Sequence, residues 1–381
     1  VESALSRRIR SGSGLAAAMV IHTGQSISWT PHVTVDLRPS PTGVQPPGES
    51  GFVVTCACFH STLPQIAVGV GRSILEYDTL TGCKLGTFSV DRPLLKLAYS
   101  PTHASSILGL VSDMTIRVWD TASGRGSVLY SPKASSKPVK DILWALSPSQ
   151  PRLYFSPEFS NSITMVETTA FLALAPPDKF KPEMSRKPIT ALECHPTENL
   201  LVVGQADGSV GMYSRSTHGL VLSGHTYVDV EEKKAGPPVP LCFAFDAARD
   251  FVFAGCSKGA MIMWRAGRGA SSIQRLATCQ LSSSSPVHWV AFHPRLRYVL
   301  AQVEGAGGKV SACCPSVAGP KGGSLTLMPV DDLRSSSLLQ SGGSGGGGKG
   351  KGSLSRECGV QRVHVHAATG AVAVVLRGIA A

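Results

Sequence analysis

The chain has 381 residues, 43% apolar and 16% charged, enough for two or three average domains or one large repeat architecture with a sizeable core. Glycine and proline, 40 and 26 residues, make up about a sixth of it and argue against long helices, and no apolar run reaches the roughly 18 residues of a membrane-spanning helix. The formal net charge of +11 favours acidic surfaces but is too diffuse to single out nucleic acid.

Residues 1–27 are expected to form a disordered extension. Ser6-Arg7-Arg8-Ile9-Arg10, followed by Ser, Gly and Ala, faintly resembles a transit peptide, and the blander reading starts the protein at Met19. His32-Val33-Thr34-Val35-Asp36-Leu37 then reads as a single strand.

A unit of short strands follows: Val54 to His60, Ile66 to Val70, Ser73 to Asp78 and Lys84 to Phe88, each β-branched or aromatic and bounded by turn residues. It recurs from Leu94, where Trp119-Asp120 ends a third strand, more weakly from Val139, and again from Ile189, Leu241 and Val287. Residues 315–358 read as a low-complexity Gly/Ser/Lys insertion, after which Val360 to His366 and Ala371 to Leu376 begin a last unit. That final apolar run lies so near Ala381 that further sequence is expected beyond it.

The first strands end at His60, Ser100, Ser147, His195, Asp246, His293 and His366, spaced by 40, 47, 48, 51, 47 and 73 residues, the last falling to about 30 once the insertion is removed. Four strands per unit at this period, with a Trp-Asp closing a third strand, is a WD40 pattern. An all-β, seven-bladed propeller over residues 28–381 is expected. Its last blade lacks a third strand and is closed by the strand near His32.

Pro64-Gln65-Ile66-Ala67-Val68-Gly69-Val70-Gly71 and Glu76-Tyr77-Asp78-Thr79-Leu80-Thr81-Gly82-Cys83-Lys84 resemble the first propeller of a tandem-WD40 subunit of the plant TPLATE (TSET) complex. Tyr99-Ser100-Pro101-Thr102, Leu129-Tyr130-Ser131-Pro132 and Lys187-Pro188-Ile189 follow in a similar order, and the resemblance covers roughly residues 28–314 and 359–377. It implies a coatomer-like scaffold with two propellers and an α-solenoid in a cytosolic endocytic adaptor, of which this chain would hold the first propeller. It carries over no functional residue.

Sites of chemistry are few. Gly343 to Lys349 matches G-x-x-x-x-G-K, but Gly350 follows in place of Ser/Thr and no strand–loop–helix surrounds it. Gly342 to Gly346 matches G-x-S-x-G without the strand–turn–helix that a nucleophile elbow needs. Ten cysteines, Cys56, Cys58, Cys83, Cys194, Cys242, Cys256, Cys279, Cys313, Cys314 and Cys358, form no C-x-x-C knuckle, so no metal, cofactor or disulfide framework is expected, and the chain reads as reducing and intracellular. Cys194-His195 looks like a reactive pair, but His195 holds the repeating end-of-strand position and reads as structural. Gly224-His225 resembles the opening of a WD40 repeat, with no matching Asp and Trp in its unit.

Basic loops remain. Lys179, Lys181, Arg186 and Lys187, in the connection between the third and fourth units, could touch anionic headgroups, with Arg265, Arg268, Lys321, Lys349 and Lys351 as further basic positions. Aromatics are only 6% of the chain and, apart from Phe180 between Lys179 and Lys181, none interleaves with these charges, so nucleic acid is not expected. The reading is a non-enzymatic scaffold in a coat-like adaptor of clathrin-mediated endocytosis. It would be cytoplasmic or peripheral at the plasma membrane or vesicles, with other protein subunits as partners. The alternative is a WD40 interaction module of RNA processing or of a ubiquitin ligase.

Overall fold

Runs of five to seven β-branched and aromatic residues, broken by Gly, Asp and Ser, have no option but short strands joined by tight turns. The computed structural model describes residues 14–22, 27–36, 54–132, 139–169, 177–227, 231, 234, 236–266, 272–304, 310–318, 322–328, 359–365 and 372–377. Numbered in chain order, β1 (Gly14–His22) and β2 (Ile27–Asp36) come first. The first full sheet holds β3 (Val54–Phe59), β4 (Gln65–Val70), β5 (Ser73–Asp78) and β6 (Lys84–Ser89), and the second β7 (Leu94–Tyr99), β8 (Ser106–Val111), β9 (Ile116–Asp120) and β10 (Gly126–Tyr130). The third holds β11 (Ile142–Leu146), β12 (Arg152–Pro157), β13 (Ile163–Glu167) and β14 (Asp178–Phe180). The fourth holds β15 (Ile189–Cys194), β16 (Leu200–Gln205), β17 (Ser209–Ser214) and β18 (Leu220–His225). The fifth holds β19 (Pro240–Asp246), β20 (Phe251–Cys256), β21 (Ala260–Arg265) and β22 (Gln274–Gln280), and the sixth β23 (Val287–His293), β24 (Tyr298–Val303), β25 (Val310–Ala318) and β26 (Gly322–Met328). The chain ends supply β27 (Gly359–Val365) and β28 (Val372–Arg377), which join β1 and β2 in the order β2-β1-β28-β27.

All seven sheets are antiparallel, and leading strands of successive sheets lie side by side: β3 against β7, β11 against β15, β15 against β19, β19 against β23, β23 against β27, and β27 against β3, while Lys96 Nζ of β7 donates to Ile142 O of β11 at 2.7 Å. The result is a closed β-propeller with its core between the blades. Leu108, Val118 and Leu110 of the second sheet pack on Leu153, Phe155 and Ile142 of the third. Trp264 and Ile262 of the fifth pack on Met212 and Val202 of the fourth. A lone four-stranded sheet would leave both faces wet, so each blade is stable only between neighbours.

The recurring end-of-strand residue caps the turn that follows it. His60 Nδ1 accepts the amides of Thr62 (3.1 Å) and Leu63 (3.0 Å), His195 Nδ1 that of Glu198 (3.0 Å), and His293 Nδ1 that of Leu296 (3.1 Å). Ser100 and Ser147 do the same with their hydroxyls for His103 and Gln150, both at 3.2 Å. The outer turns are closed by Asp78 Oδ1 on Leu80 and Thr81 and by Asp120 on Ala122 and Ser123. These are Asx turns built by residue type at fixed register.

Three expectations are corrected. The last blade is not left without a third strand, because β1 fills that place. Its residues Gly14 to Ala18 pair with Leu376 to Val372, so part of the segment expected to be disordered closes the ring. Its alanine-rich sequence carries little strand propensity of its own, and pairing on both sides specifies it. The low-complexity insertion does not begin at residue 315. Pro315 lies within β25 opposite Leu325 of β26, and Gly323 is required by packing, since a Cβ there would come within 2.8 Å of Met263 Cε and 3.0 Å of Leu276 Cβ. Lys179 lies not in a connection but on the three-residue strand β14, paired with Thr164. The glycine tract, Arg268, Lys321, Lys349, Lys351, Cys358 and His366 lie outside the described residues.

Candidate interaction face

Antiparallel meanders send alternate turns to opposite ends of the ring. At one end of the third sheet three segments meet: the approach to β11, the β12–β13 turn, and the connection from β14 to β15. Glu158 N donates to Asp141 O (2.9 Å), Ile189 N to Ser160 O (2.8 Å), and Asn161 Nδ2 to Arg186 O (3.3 Å). This cluster carries Lys140, Lys181, Arg186 and Lys187, all exposed. Of the basic residues singled out in sequence, Lys181, Arg186 and Lys187 therefore share this end, while Lys179 projects from the outer strand at the rim.

At its centre stands Phe159, 76% exposed with φ of +61°. A bulky side chain in the left-handed region costs on the order of 1–3 kcal/mol and persists only where its surroundings over-determine it. Here Ser160 N donates to Pro157 O (3.0 Å), Ser162 N to Ser160 Oγ (3.1 Å), and Ser156 Oγ to Ser162 O (3.0 Å). The turn holds an aromatic ring out into water amid cations. Asp141 does not neutralise them, being engaged by Lys96 Nζ at 2.7 Å. Glu158 and Glu183 are the other carboxylates of these segments.

Sequence reasoning missed Phe159 and Lys140. The available signal was an apolar aromatic inside the turn-forming string Pro157-Glu158-Phe159-Ser160-Asn161.

The opposite end is arranged differently. Asp246, 1% exposed, takes Arg249 Nε at 2.5 Å and Arg297 Nη2 at 3.8 Å, while Arg249 and Arg265 stand over the ring of Phe251 at 5.2 and 5.8 Å. Arg265 is thus used in packing.

A groove of about 620 Å³ runs between β18 and β22 on the rim, lined by Ser223, His225, Tyr227, Ile273, Arg275 and Thr278 among others. Its lining includes no carboxylate and no thiol. His225 stacks on Tyr227 at 4.6 Å, and its carbonyl accepts Trp264 Nε1 at 3.3 Å, so the Gly-His here meets the next blade through its backbone. Among the described residues no group of three or more His, Cys, Asp or Glu could hold a metal ion. At Cys194 beside His195, burial, then the neighbouring Glu193 charge, pushes the thiol far up and disfavours the thiolate.

No family model matches the chain. Over 170 residues it is 23% identical to the TSET complex member tstE of Dictyostelium discoideum, a stretch that is 42% of this chain and 12% of that relative. The chain therefore spans only a small part of the curated relative it matches. Among solved structures it is similar to the C-terminal WD40 domain of Sif2, with a TM-score of 0.55 and 13% identity over 98% of this chain and 94% of that one. It is also similar to a chain of the mitotic checkpoint complex, with a TM-score of 0.53 and 12% identity over 77% and 86% respectively. These likenesses establish a WD40-type propeller fold.

Proposed function

We propose that this WD40-type propeller is a non-enzymatic interaction scaffold of a coat-like adaptor complex in vesicle trafficking, working in the cytoplasm and at membrane peripheries. The observation that carries the proposal is the 170-residue similarity to a TSET complex member. The chemistry of the described surface agrees with it. The lining of the rim groove includes no carboxylate and no thiol, whereas the third sheet ends in a cationic and aromatic face.

On this reading the ring displays loops to partner subunits, and the face around Phe159 takes an anionic surface. Each cation near such a surface contributes about 1 kcal/mol, and burying the Phe159 ring adds about 2 kcal/mol. Contacts of that size are weak singly and sum through a complex.

The test is flotation of the full-length protein with phosphatidylcholine vesicles, with and without phosphatidylserine. Binding should require the anionic lipid, weaken with salt, and fall at least tenfold in the Lys181→Glu/Arg186→Glu/Lys187→Glu variant. Equal binding by wild type and variant would discard the face.

A further inference from the structure

Nine cysteines are described, and seven of them are accounted for by burial, by packing or by isolation on the surface. The exception is a pair drawn from two blades. Cys279 lies on β22, the outer strand of the fifth sheet, and Cys313 on β25, the third strand of the sixth, 34 residues apart in sequence. Their sulfur atoms are 3.8 Å apart, in van der Waals contact. Cys313 is 0% exposed and belongs to the apolar cluster joining the two sheets, while Cys279 is only half-buried at its edge. The same two blades also approach closely further along β26, as Gly323 against Met263 and Leu276 shows.

We infer that Cys279 and Cys313 form an oxidant-responsive thiol pair, in which Cys279 is the attacked thiol, Cys313 resolves it, and the product is a disulfide stapling the fifth blade to the sixth. The oxidant is hydrogen peroxide. The Cys279 thiolate attacks one peroxide oxygen, the O–O bond breaks, and with one proton the departing oxygen leaves as water and Cys279 becomes a sulfenic acid. Cys313 sulfur then attacks the Cys279 sulfur; the S–O bond breaks, and the thiol proton leaves with the hydroxide as a second water. Two electrons pass from the sulfur pair to the peroxide.

The roles follow from the surroundings. The Cys313 S–H donates to the Cys279 sulfur and holds the Cys279 thiol down to about 7, whereas that same contact, with burial, pushes Cys313 up. Burial pushes Cys242 up to about 12, and Cys58, Cys194 and Cys256 further, so these remain thiols at neutral pH. Cys314, the chain neighbour of Cys313, projects to the other side of β25 and is not the partner by geometry.

The experiment treats the reduced, full-length protein with stoichiometric hydrogen peroxide and maps cross-links by non-reducing peptide mass spectrometry. The expected products are a Cys279–Cys313 disulfide, alkylation of Cys279 at pH 7 at least about tenfold faster than of Cys242 before oxidation, and a Tm higher by several degrees after it. Cys279→Ser, at a half-buried site that should fold normally, should abolish the cross-link and the Tm rise, and dithiothreitol should reverse both in the wild type. Cys279 found as sulfinic or sulfonic acid with Cys313 still reduced, or linked to another cysteine, would overturn the proposal.

Discussion

Tyr99 Oη donates a 2.6 Å hydrogen bond to Glu76 Oε1, joining the innermost strand of the second sheet to the third strand of the first. Glu76 is only 8% exposed, and the bond is one of the few polar ties inside an otherwise apolar interblade layer. Burial, with the nearby Cys58, pushes the Tyr99 hydroxyl well above the ordinary phenol range, so it stays a donor. Tyr99→Phe should therefore cost about 2–3 kcal/mol, most of it from a buried carboxylate left without that donor. Glu76→Gln, which keeps an acceptor, should cost less than half as much. Denaturant midpoints of the two variants decide this, and equal losses would show that the layer tolerates the unpaired group.

Trp119 lies flat between two glycines. A Cβ on Gly109 of β8 would come 2.6 Å from Trp119 Cζ3, and one on Gly126 of β10 would come 2.5 Å from Cδ1. Gly109→Ala should thus destabilise by about 1–3 kcal/mol through overpacking, read as a lower Tm with tryptophan fluorescence altered.

Burial pushes the Glu193 carboxyl from 4.5 up to about 7, partly offset by the Cys194 amide that it accepts at 3.1 Å. The folded state then holds a proton that the unfolded chain has released between those two values. Stability contributed by this group is full below about pH 4.5 and is lost as pH rises toward 7. Glu193→Gln keeps the amide contact and removes the titration, so it should exceed wild type by roughly 1–3 kcal/mol at pH 8 and match it near pH 4.5. A stability difference independent of pH would contradict the assignment. His195, two positions along, works in the opposite sense. Burial lowers its pKa from 6.5, so its contribution is lost as pH falls below that value.

All the pairs that join β1 to β28 run from Gly14 to Ala18, before Met19. Removing residues 1–18, or the substitution Ala16→Pro, should open the ring at the sheet that joins β1 and β2 to β27 and β28. The expected fall in Tm is roughly 5 °C or more, measured by calorimetry, with an unchanged Tm counting against the closure.

Sequence carried the repeat well where residue type alone dictates local geometry. The end-of-strand positions His60, His195 and His293 were legible as structural because they recur at fixed register, whereas their capping of the following turns, and the turns closed by Asp78 and Asp120, emerge only from the structure. Long-range partners were not legible. β1 is alanine-rich and becomes a strand only because β28 and β2 flank it, and β26 hides in a glycine-rich stretch where Gly323 is demanded by a neighbouring blade. The candidate face was half legible: Lys181, Arg186 and Lys187 are contiguous, but Phe159 and Lys140 reach them only through hydrogen bonds between separate segments.

The scaffold reading is tested most directly by affinity purification of the full-length protein from its own cells under reducing conditions, with partners identified by mass spectrometry. The account predicts stoichiometric recovery of adaptin-like large subunits together with a second WD40 subunit. Recovery of ribonucleoproteins or a ubiquitin-ligase core in their place would contradict the adaptor assignment and leave only the propeller.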